Sequence, residues 1–479
     1  MTITRNPRKF DFGASTGEIS DIAIYFILFI YLVYSLVSTL GSATTDLVGC
    51  IILFLNGMCA LFGLHVAMRG RRTLFVVFFL FNFLFLSLAP LQQTYARTDQ
   101  VFEQGDLVTY AAFMCLIFNL GGVGFVLRPL DSSRTTQRES FLSTTLLGSN
   151  PITLLVLLLV TGALLAFLVG RYGAALFSNR QTLNDLIASD GDKSSTIFIY
   201  SFLHPFVFTS SFIGLMVAYR QKLRLLTFLF LFSLAAAFLV NNPIIQARFR
   251  SSTLLVFMAL VLTSWKNVRL VMYVIFAGIA ASPIYNAVFR LTFGGRDDRE
   301  LATFFAQMDF DALNIFCYTI RWVSDRGLEF GTNLTGAFFF FVPRSLWEDK
   351  GKHVANLIFT YLKEYRGYTS DNLSSPPPVE GYLSFGLVGA ISLSLIVVWA
   401  IDFVERRGNR AEYLSPWHLI LCLSPMLTMI LLRGPLQVGF SEWTLHACTI
   451  LITATILRIV PRTTARGYFK RKLAQSSVS

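Results

Sequence analysis

The sequence predicts an all-α, polytopic integral membrane protein with about 12 transmembrane helices. Hydrophobic residues make up 54% of the 479 positions and charged residues only 14%, whereas about a quarter of a soluble domain is charged. The mean hydropathy is +0.59. Apolar stretches of about 18–24 residues recur along the chain, and this length matches the hydrocarbon core of a bilayer.

The predicted spans are residues 22–41, 46–68, 73–91, 107–127, 151–170, 196–219, 223–240, 252–265, 268–289, 385–403, 415–432 and 441–460. The eighth of them is about as short as a buried or re-entrant helix. We include it because the charge pattern of the loops is inconsistent without it.

The distribution of Lys and Arg predicts that both termini lie in the cytoplasm, because every cytoplasmic segment is then basic. The net charge of +12 therefore does not require a nucleic-acid partner. The predicted organisation is a bundle of nine spans (1–289), a large periplasmic loop domain (290–384), three further spans (385–460) and a basic cytoplasmic tail (461–479).

The interval 290–384 is the longest stretch between apolar runs, and loops of such length are commonly functional. Apolar residues recur at three- and four-residue spacing from Leu301 to Val323 and again from Val354 to Tyr365. This periodicity predicts amphipathic helices that lie at the membrane interface or cap the bundle. We therefore expect this interval to be the working domain.

Several kinds of chemistry lack their sequence signatures. The six cysteines form no CxxC motif and the five histidines form no HExxH motif, so neither a disulfide framework nor a metal site is predicted. The absence of a Walker motif and of a dinucleotide-binding fingerprint argues against an ATP-driven pump. No cofactor is expected.

Four arginines lie at the predicted outer face, where such residues should be scarce: Arg248, Arg250, Arg344 and Arg433. Guanidinium groups suit a phosphate or diphosphate because their planar fork donates two parallel hydrogen bonds. The alternative is snorkelling to lipid phosphates or ion pairing with neighbouring loops. Taken as a set, these arginines favour anion binding.

Two short stretches carry further candidates. In residues 343–350, Trp347 is either a sugar-stacking ring or an interfacial anchor, and the sequence alone does not separate the two. In residues 374–386, Glu380 is either a general base or the partner of an arginine. The alternative for Glu380 is a carboxylate stabilised by the dipole at the start of a helix.

Together these stretches resemble the Wzy-type oligosaccharide repeat-unit polymerases, or O-antigen polymerases, of bacterial envelopes. The likeness rests on a Pro-Arg-x-x-Trp-x-x-Lys run (343–350), on a Ser/Pro-rich run leading to Glu-x-Tyr-x-x-Phe-Gly (374–386), and on arginines at the outer ends of spans. One departure is Gly351, because the family usually has Pro after the Lys. The spans themselves match only as apolar sequence.

The resemblance implies a metal-independent, multi-span glycosyltransferase (GT-C-like) of the bacterial inner membrane, acting in lipopolysaccharide or related polysaccharide synthesis. The implied donor is a growing glycan on undecaprenyl diphosphate, and the acceptor is a single lipid-linked repeat unit. Membrane lipids, a chain-length regulator and a flippase of the same pathway are the implied partners, with no nucleic acid.

The resemblance also implies roles for the arginines. Arg248, Arg250 and Arg433 would neutralise the diphosphate leaving group, whose developing charge needs stabilisation. Arg344 would complete that cage from the long interval.

The remaining roles concern the acceptor and the sugars. Trp347 and Tyr382 would stack on sugar rings, and Glu380 would assist the acceptor hydroxyl or orient an arginine. The other expected substrate-binding residues are Lys350, Arg290 and Arg296.

Three alternatives remain. An O-antigen ligase would share the arginines but use a different acceptor, and we would expect it to have a functional histidine in the long interval, where only His353 occurs. A lipid-linked oligosaccharide flippase would place charged residues inside the bundle at mid-membrane depth, whereas the predicted spans are nearly free of buried charge. The third alternative is a structural or assembly protein.

Overall fold

The computed structural model is helical, with no strand in the part of the chain that it describes. That part comprises residues 13–40, 46–95, 106–129, 142, 144–173, 202–241, 248–278, 310–342, 346–366 and 373–459. The predicted all-α class is confirmed for these residues.

In chain order the helices are α1 (Gly13–Leu40), α2 (Leu47–Arg69), α3 (Thr73–Phe83), α4 (Ala89–Tyr95), α5 (Asp106–Val126), α6 (Pro151–Tyr172), α7 (His204–Arg220), α8 (Arg224–Val240), α9 (Arg248–Leu262), α10 (Val268–Gly278), α11 (Ala312–Arg326), α12 (Thr332–Phe338), α13 (Val354–Arg366), α14 (Pro377–Gly408), α15 (Pro416–Arg433) and α16 (Leu436–Arg458). A π-helical turn, Leu84–Leu88, joins α3 to α4, so these segments form one rod.

Eight segments are long and apolar enough to cross a membrane: α1, α2, the α3–α4 rod, α5, α6, α14, α15 and α16. This confirms the prediction of a polytopic membrane protein. Four other predicted spans are represented by shorter helices, α7 to α10. The sixth and ninth predicted spans also include residues 196–201 and 279–289, which lie outside the described part of the chain.

The α3–α4 rod is the centre of the bundle, since its apolar window is completely buried. A helix that is apolar on all sides must be enclosed, and this rod packs against α2, α5, α14 and α15. At the π-turn, Asn56 Nδ2 donates hydrogen bonds to the Leu86 carbonyl at 3.0 Å and to Ser87 Oγ at 2.9 Å. A neighbouring side chain thus satisfies a backbone group that an irregular turn leaves without its usual helical partner.

The loops rich in Arg and Lys meet at one end of the bundle. We name this the basic end and define it by residues 70–72, 127–129, 221–223, 263–267 and 406–415, together with the adjoining residues 144–150. Hydrogen bonds connect its loops and helix ends: Thr73 to Trp265, Gln221 to Ser149, and Arg458 to Thr144. The fold therefore brings together loops that the charge distribution assigned to a single side.

Helix α9 corresponds to the short eighth predicted span, and it connects the two ends of the bundle. Near the start of α9, Arg250 pairs with Glu442 at the end of the bundle opposite the basic end. Helices α2, α5, α14 and α16 also begin at that end. The loop after α9 contributes the Trp265 carbonyl to the basic end. The 15 residues of α9 give a helix of roughly 22 Å, shorter than a bilayer's hydrocarbon core of about 30 Å.

Buried charges lie at the basic end, within two residues of the ends of the third and tenth predicted spans. Arg72, which is 2% exposed, pairs with Asp402 at 2.5 Å and with Glu405 at 2.8 Å. Glu405 also accepts a hydrogen bond from the Leu74 N–H at 3.0 Å. These pairs join the start of α3 to the last turns of α14. Each of these three buried charges therefore has an opposite partner, which offsets the cost of burying it.

Helix α14 begins at Pro377, earlier than the predicted start of the tenth span, Phe385. The helix is broken at Phe385–Gly386, and Gly386 has a φ of 62°, which residues with a Cβ rarely adopt. The short first segment lies so close to the second that a Cβ at Gly381 would overlap the Gly389 carbonyl. The predicted start of the span therefore coincides with the break.

The long interval contributes α11, α12 and α13 to the described structure. Helix α13 buries Val354, Ile358 and Leu362 along one face, which confirms the amphipathic helix predicted there. Helix α11 is buried over most of its length and packs against α5 and α14, so it belongs to the bundle rather than to a lipid interface. Residues 301–309 of the predicted periodic stretch lie outside the described residues.

Candidate functional site

Two of the predicted site residues, Glu380 and Arg250, contact residues Leu436–Glu442, which we call the α16 start. The Leu436 N–H donates to the carboxylate of Glu380 at 3.2 Å. The ring of Phe338 meets that of Phe440 edge to face, with centroids 5.6 Å apart. Glu442 pairs with Arg250. Pieces of α9, α12 and α14 thus contact two turns of one helix.

Arg250 is held by a buried carboxylate. Its Nη2 and Nε lie 2.5 Å and 3.2 Å from Glu442 Oε1, and the Glu442 side chain is 4% exposed. His446 Nδ1 lies 2.8 Å from the Glu442 carbonyl oxygen and 3.6 Å from Glu442 Oε2. Because the carboxylate offsets the positive charge of Arg250, this arginine attracts an anion less strongly than an unpaired one would.

Glu380, which is 1% exposed, is enclosed by hydrogen-bond donors. Its Oε2 accepts from Asn333 Nδ2 at 2.9 Å, and its Oε1 accepts from the Leu436 N–H at 3.2 Å and from Ser375 Oγ at 3.4 Å. Ser384 Oγ donates to Asn333 Oδ1 at 2.8 Å and so orients that amide. The carboxylate lies at the starts of α14 and α16, where helix dipoles stabilise negative charge. This geometry favours the helix-start interpretation over a general base.

Arg433 is the last residue of α15, and its backbone holds the second predicted stretch. Its carbonyl accepts hydrogen bonds from the Ser375 N–H and from Ser374 Oγ, both at 2.9 Å. The Ser374 N–H in turn donates to Asp311 Oδ1 at 3.3 Å. A carbonyl at a helix end lacks an intrahelical partner, and the serines supply one. The backbone of Arg433 therefore lies beside the segment that leads to Glu380.

Lys350 closes the loop that follows α12. Its Nζ donates to the carbonyl oxygens of Phe340 at 2.9 Å and Val342 at 3.0 Å, and the residue is 5% exposed. These bonds tie together the two sides of residues 343–345. An ammonium group that binds backbone carbonyls in this way braces the loop, so the structure places Lys350 in a supporting position rather than toward a substrate.

Gly351 packs directly on the backbone of α12. A Cβ at this position would overlap the carbonyl oxygen of Thr332, and a Cβ at Gly336 would overlap the carbonyl oxygen of Gly351. A Cβ has no room between the two segments, so a proline, which carries one, does not fit there either. The departure from the polymerase pattern at Gly351 is thus accompanied by a close backbone contact that requires glycine.

The two candidate aromatic residues occupy different surroundings. Trp347 lies edge to face with Phe339 of the same loop, with ring centroids 6.1 Å apart. Tyr382 lies between α5 and α11, where its ring meets those of Tyr110 at 6.0 Å and Phe316 at 5.9 Å. Trp347 therefore belongs to the loop that carries the Pro-Arg run, whereas Tyr382 contributes to the packing of helices.

Several candidates cannot be placed. Arg290, Arg296 and Arg344 lie outside the described residues, and Arg248 is described only as the first backbone position of α9. Among the described residues before Arg344, Phe340 contacts the α16 start, because its ring meets that of Phe440 with centroids 6.2 Å apart.

The sequence did not indicate the residues that join these segments. Glu442 was detectable as a lone carboxylate near the start of an apolar span, and a charge in such a place usually has a partner or a function. Its partner, Arg250, is 192 residues away in the chain. Asn333 had no such signal, because nothing in the local sequence shows that its amide meets Glu380.

The described groups at the α16 start are a paired cation, two buried carboxylates, an amide, hydroxyls and aromatic rings. The amide, hydroxyl and aromatic groups suit the binding of sugar hydroxyls and sugar rings. In the part of the chain that the structure describes, no three His, Cys, Asp or Glu side chains are grouped so as to hold a metal ion. No protein-family model, no curated protein and no solved structure matches the chain.

Proposed function

We propose that the protein polymerises lipid-linked oligosaccharide repeat units at the periplasmic face of a bacterial inner membrane. It transfers a growing glycan from undecaprenyl diphosphate to a hydroxyl of a second lipid-linked unit. The acceptor oxygen bonds to the anomeric carbon, and the bond from that carbon to the diphosphate oxygen breaks. The acceptor loses its proton, and the lipid diphosphate leaves with an additional negative charge. Stabilising this charge is the main task of the site.

The observation that carries the proposal is the convergence on the α16 start. Three residues from separate segments contact the same two turns of α16: Arg250, Phe338 and Glu380. Glu380 belongs to the resembling stretch 374–386, and Phe338 lies five residues before the other resembling stretch, 343–350. Arg433 precedes those turns directly. A shared substrate is a physical reason for such separate segments to be held together.

The proposal includes an orientation with twelve spans and both termini in the cytoplasm. The basic end then faces the cytoplasm, in agreement with the preference of Lys and Arg for that side. The α16 start then faces the periplasm together with the long interval. A diphosphate at the membrane surface would meet the site, while its polyprenyl chain stays among the lipids.

The proposal gives the arginines two kinds of role. We assign the diphosphate leaving group to Arg248, Arg344 and Arg433. Arg250 has a different role, because Glu442 holds its guanidinium and fixes α9 against α16. The Arg250–Glu442 pair thus positions the other cations rather than supplying net charge.

Reconstitution in liposomes with one purified lipid-linked repeat unit, and with no other acceptor, tests this function. The expected product is a ladder of longer lipid-linked glycans, formed without nucleotide. Product that appears only after a second type of acceptor is added would indicate a ligase. Movement of the unit across the bilayer without elongation would indicate a flippase. Either result would contradict the proposal.

Two observations favour polymerisation over these alternatives. His353, the histidine that a ligase would use, accepts the Asn356 N–H on its Nδ1 at 3.3 Å, so this nitrogen caps the start of α13. A flippase needs charges at mid-membrane depth. In the described residues the buried ion pairs of Arg72 and Arg250 lie near helix ends instead.

A further inference from the structure

A cavity of about 360 Å³ opens at the basic end, away from the α16 start. It lies between the ends of α1 and α2 and the loop that joins α9 to α10. The polar side chains that line it include those of Arg71, Lys266, Arg269, Asp21, Ser264 and Asn267. The proposed function uses none of these residues.

The charges in this cavity do not cancel. Arg269 and Asp21 form a two-bonded ion pair, with Nε to Oδ1 at 3.1 Å and Nη2 to Oδ2 at 2.9 Å, so their charges offset each other. Arg71 and Lys266 are both exposed, and neither has an ion pair with any residue that the structure describes. Lys266 lies over the ring of Trp265, 5.5 Å from its centroid. Two positive charges therefore remain for a ligand.

The backbone around the cavity adds to this positive character. Helix α10 begins beside it, and the start of a helix carries a partial positive charge. Arg71 has a φ of 50°, in the left-handed region that a non-glycine residue rarely adopts. This conformation follows the end of α2, where the Arg71 and Arg72 N–H groups bond back to the carbonyls of Met68 and Ala67. These hydrogen bonds fix the backbone of the turn from which the Arg71 side chain extends.

We propose that this cavity binds a phosphate group. Guanidinium and ammonium groups around a recess at a helix start are the groups that recognise phosphate. The phosphate can belong to an anionic phospholipid of the adjacent leaflet or to a soluble phosphate compound. The apolar residues Met68 and Val268 also line the cavity. Basic recesses between membrane helices are typical of lipid headgroup sites.

Thermal unfolding of the purified protein in a neutral detergent tests the site. The additives are phosphatidylglycerol, phosphatidylcholine and sodium phosphate. Sodium chloride at equal ionic strength is the control for sodium phosphate. Phosphatidylglycerol is expected to raise the unfolding temperature, and phosphatidylcholine is not. In the Arg71→Gln/Lys266→Gln variant, half-maximal stabilisation should need about 25-fold more phosphatidylglycerol, because each cation near an anionic surface contributes roughly fivefold in affinity.

Two matched variants control for general charge and for folding. Arg407→Gln/Arg410→Gln removes two cations of the basic end that do not line the cavity, and it should respond as the unchanged protein does. Arg71→Lys/Lys266→Arg keeps both charges and should retain the response.

In a second outcome, sodium phosphate raises the unfolding temperature while phosphatidylglycerol does not, with the rise absent in the Arg71→Gln/Lys266→Gln variant. That result would support a phosphate site that takes a soluble compound. Equal responses of the Gln variant and the Arg407/Arg410 control to every additive would overturn the site.

Discussion

Arg250 and Glu442 are 192 residues apart in the chain, and their side chains form an ion pair of 2.5 Å that holds α9 against α16. The pair connects a helix of marginal length to the helix at which the predicted site segments meet. It also neutralises an arginine that the charge pattern had assigned to a ligand. Arg250 therefore offers less net positive charge to a substrate than an arginine without a carboxylate partner would.

Glu442→Ala is expected to lower the free energy of unfolding by about 3 kcal/mol, because it leaves the charge of Arg250 without its partner in a largely buried place. Polymer formation should stop with it. The double variant Arg250→Met/Glu442→Met should regain most of the stability, since apolar groups of similar size can replace a buried pair. Thermal unfolding and glycan length are the measurements. A double variant as unstable as Glu442→Ala would contradict the assignment of the pair as a simple buried salt bridge.

The substitution Glu380→Gln tests whether Glu380 positions the neighbouring segments or acts as a general base. Glutamine keeps a carbonyl oxygen to accept from Leu436 or Asn333, so activity should fall only severalfold. Glu380→Ala removes the acceptor and leaves buried donors unsatisfied, at a cost of about 1–3 kcal/mol each. Activity and unfolding temperature should therefore decline together across the two variants. Complete loss of activity in Glu380→Gln with an unchanged unfolding temperature would restore the general-base role.

Gly351→Pro tests the contact between the loop and α12. The family pattern places proline here, yet the Thr332 carbonyl leaves no space for a side chain. The substitution should destabilise the protein by about 1–3 kcal/mol, as overpacking does. Gly162→Ala is the matched control, because nothing lies within 4 Å of a Cβ at that helical position. An unfolding temperature for Gly351→Pro equal to that of the control would show that the loop does not pack on α12 in this way.

Cysteine accessibility tests the orientation. Leu346→Cys, at a position 80% exposed, should react with a membrane-impermeant maleimide added from the periplasmic side. Arg410→Cys should react only after the membrane has been permeabilised. Cys59 and Cys448, which are partly exposed, are replaced by Ala to remove background. Labelling of Arg410→Cys in intact membranes would reverse the orientation.

Native Cys317 provides an internal negative control for this experiment. Burial raises its pKa to about 12, so the thiol stays protonated and unreactive near neutral pH.

The membrane class could be predicted because apolar length and Lys/Arg placement are properties of local sequence. Helix α13 could be predicted for the same reason, since its buried face repeats with the helical period. The break at Gly386 was not predicted, although the predicted start of the span falls there. A local pattern shows where apolar sequence begins, but not that two helical segments meet at an angle.

The partners within the site could not be predicted, because they are selected by tertiary packing. The sequence indicates Glu380 and Arg250 as charges near predicted membrane edges. It does not show that Asn333 donates a hydrogen bond to Glu380, or that Glu442 forms an ion pair with Arg250. The buried network of Arg72, whose partners Asp402 and Glu405 are more than 300 residues away, was missed for the same reason.

The most direct test compares arginines at the two ends in the reconstituted polymerisation reaction. Arg248→Ala, Arg344→Ala and Arg433→Ala are each expected to stop elongation while the protein remains inserted, because each removes a cation assigned to the diphosphate. Arg407→Ala, at the basic end, should give the same ladder as the unchanged protein. Normal-length ladders from Arg248→Ala and Arg344→Ala would contradict a diphosphate site at the α16 start.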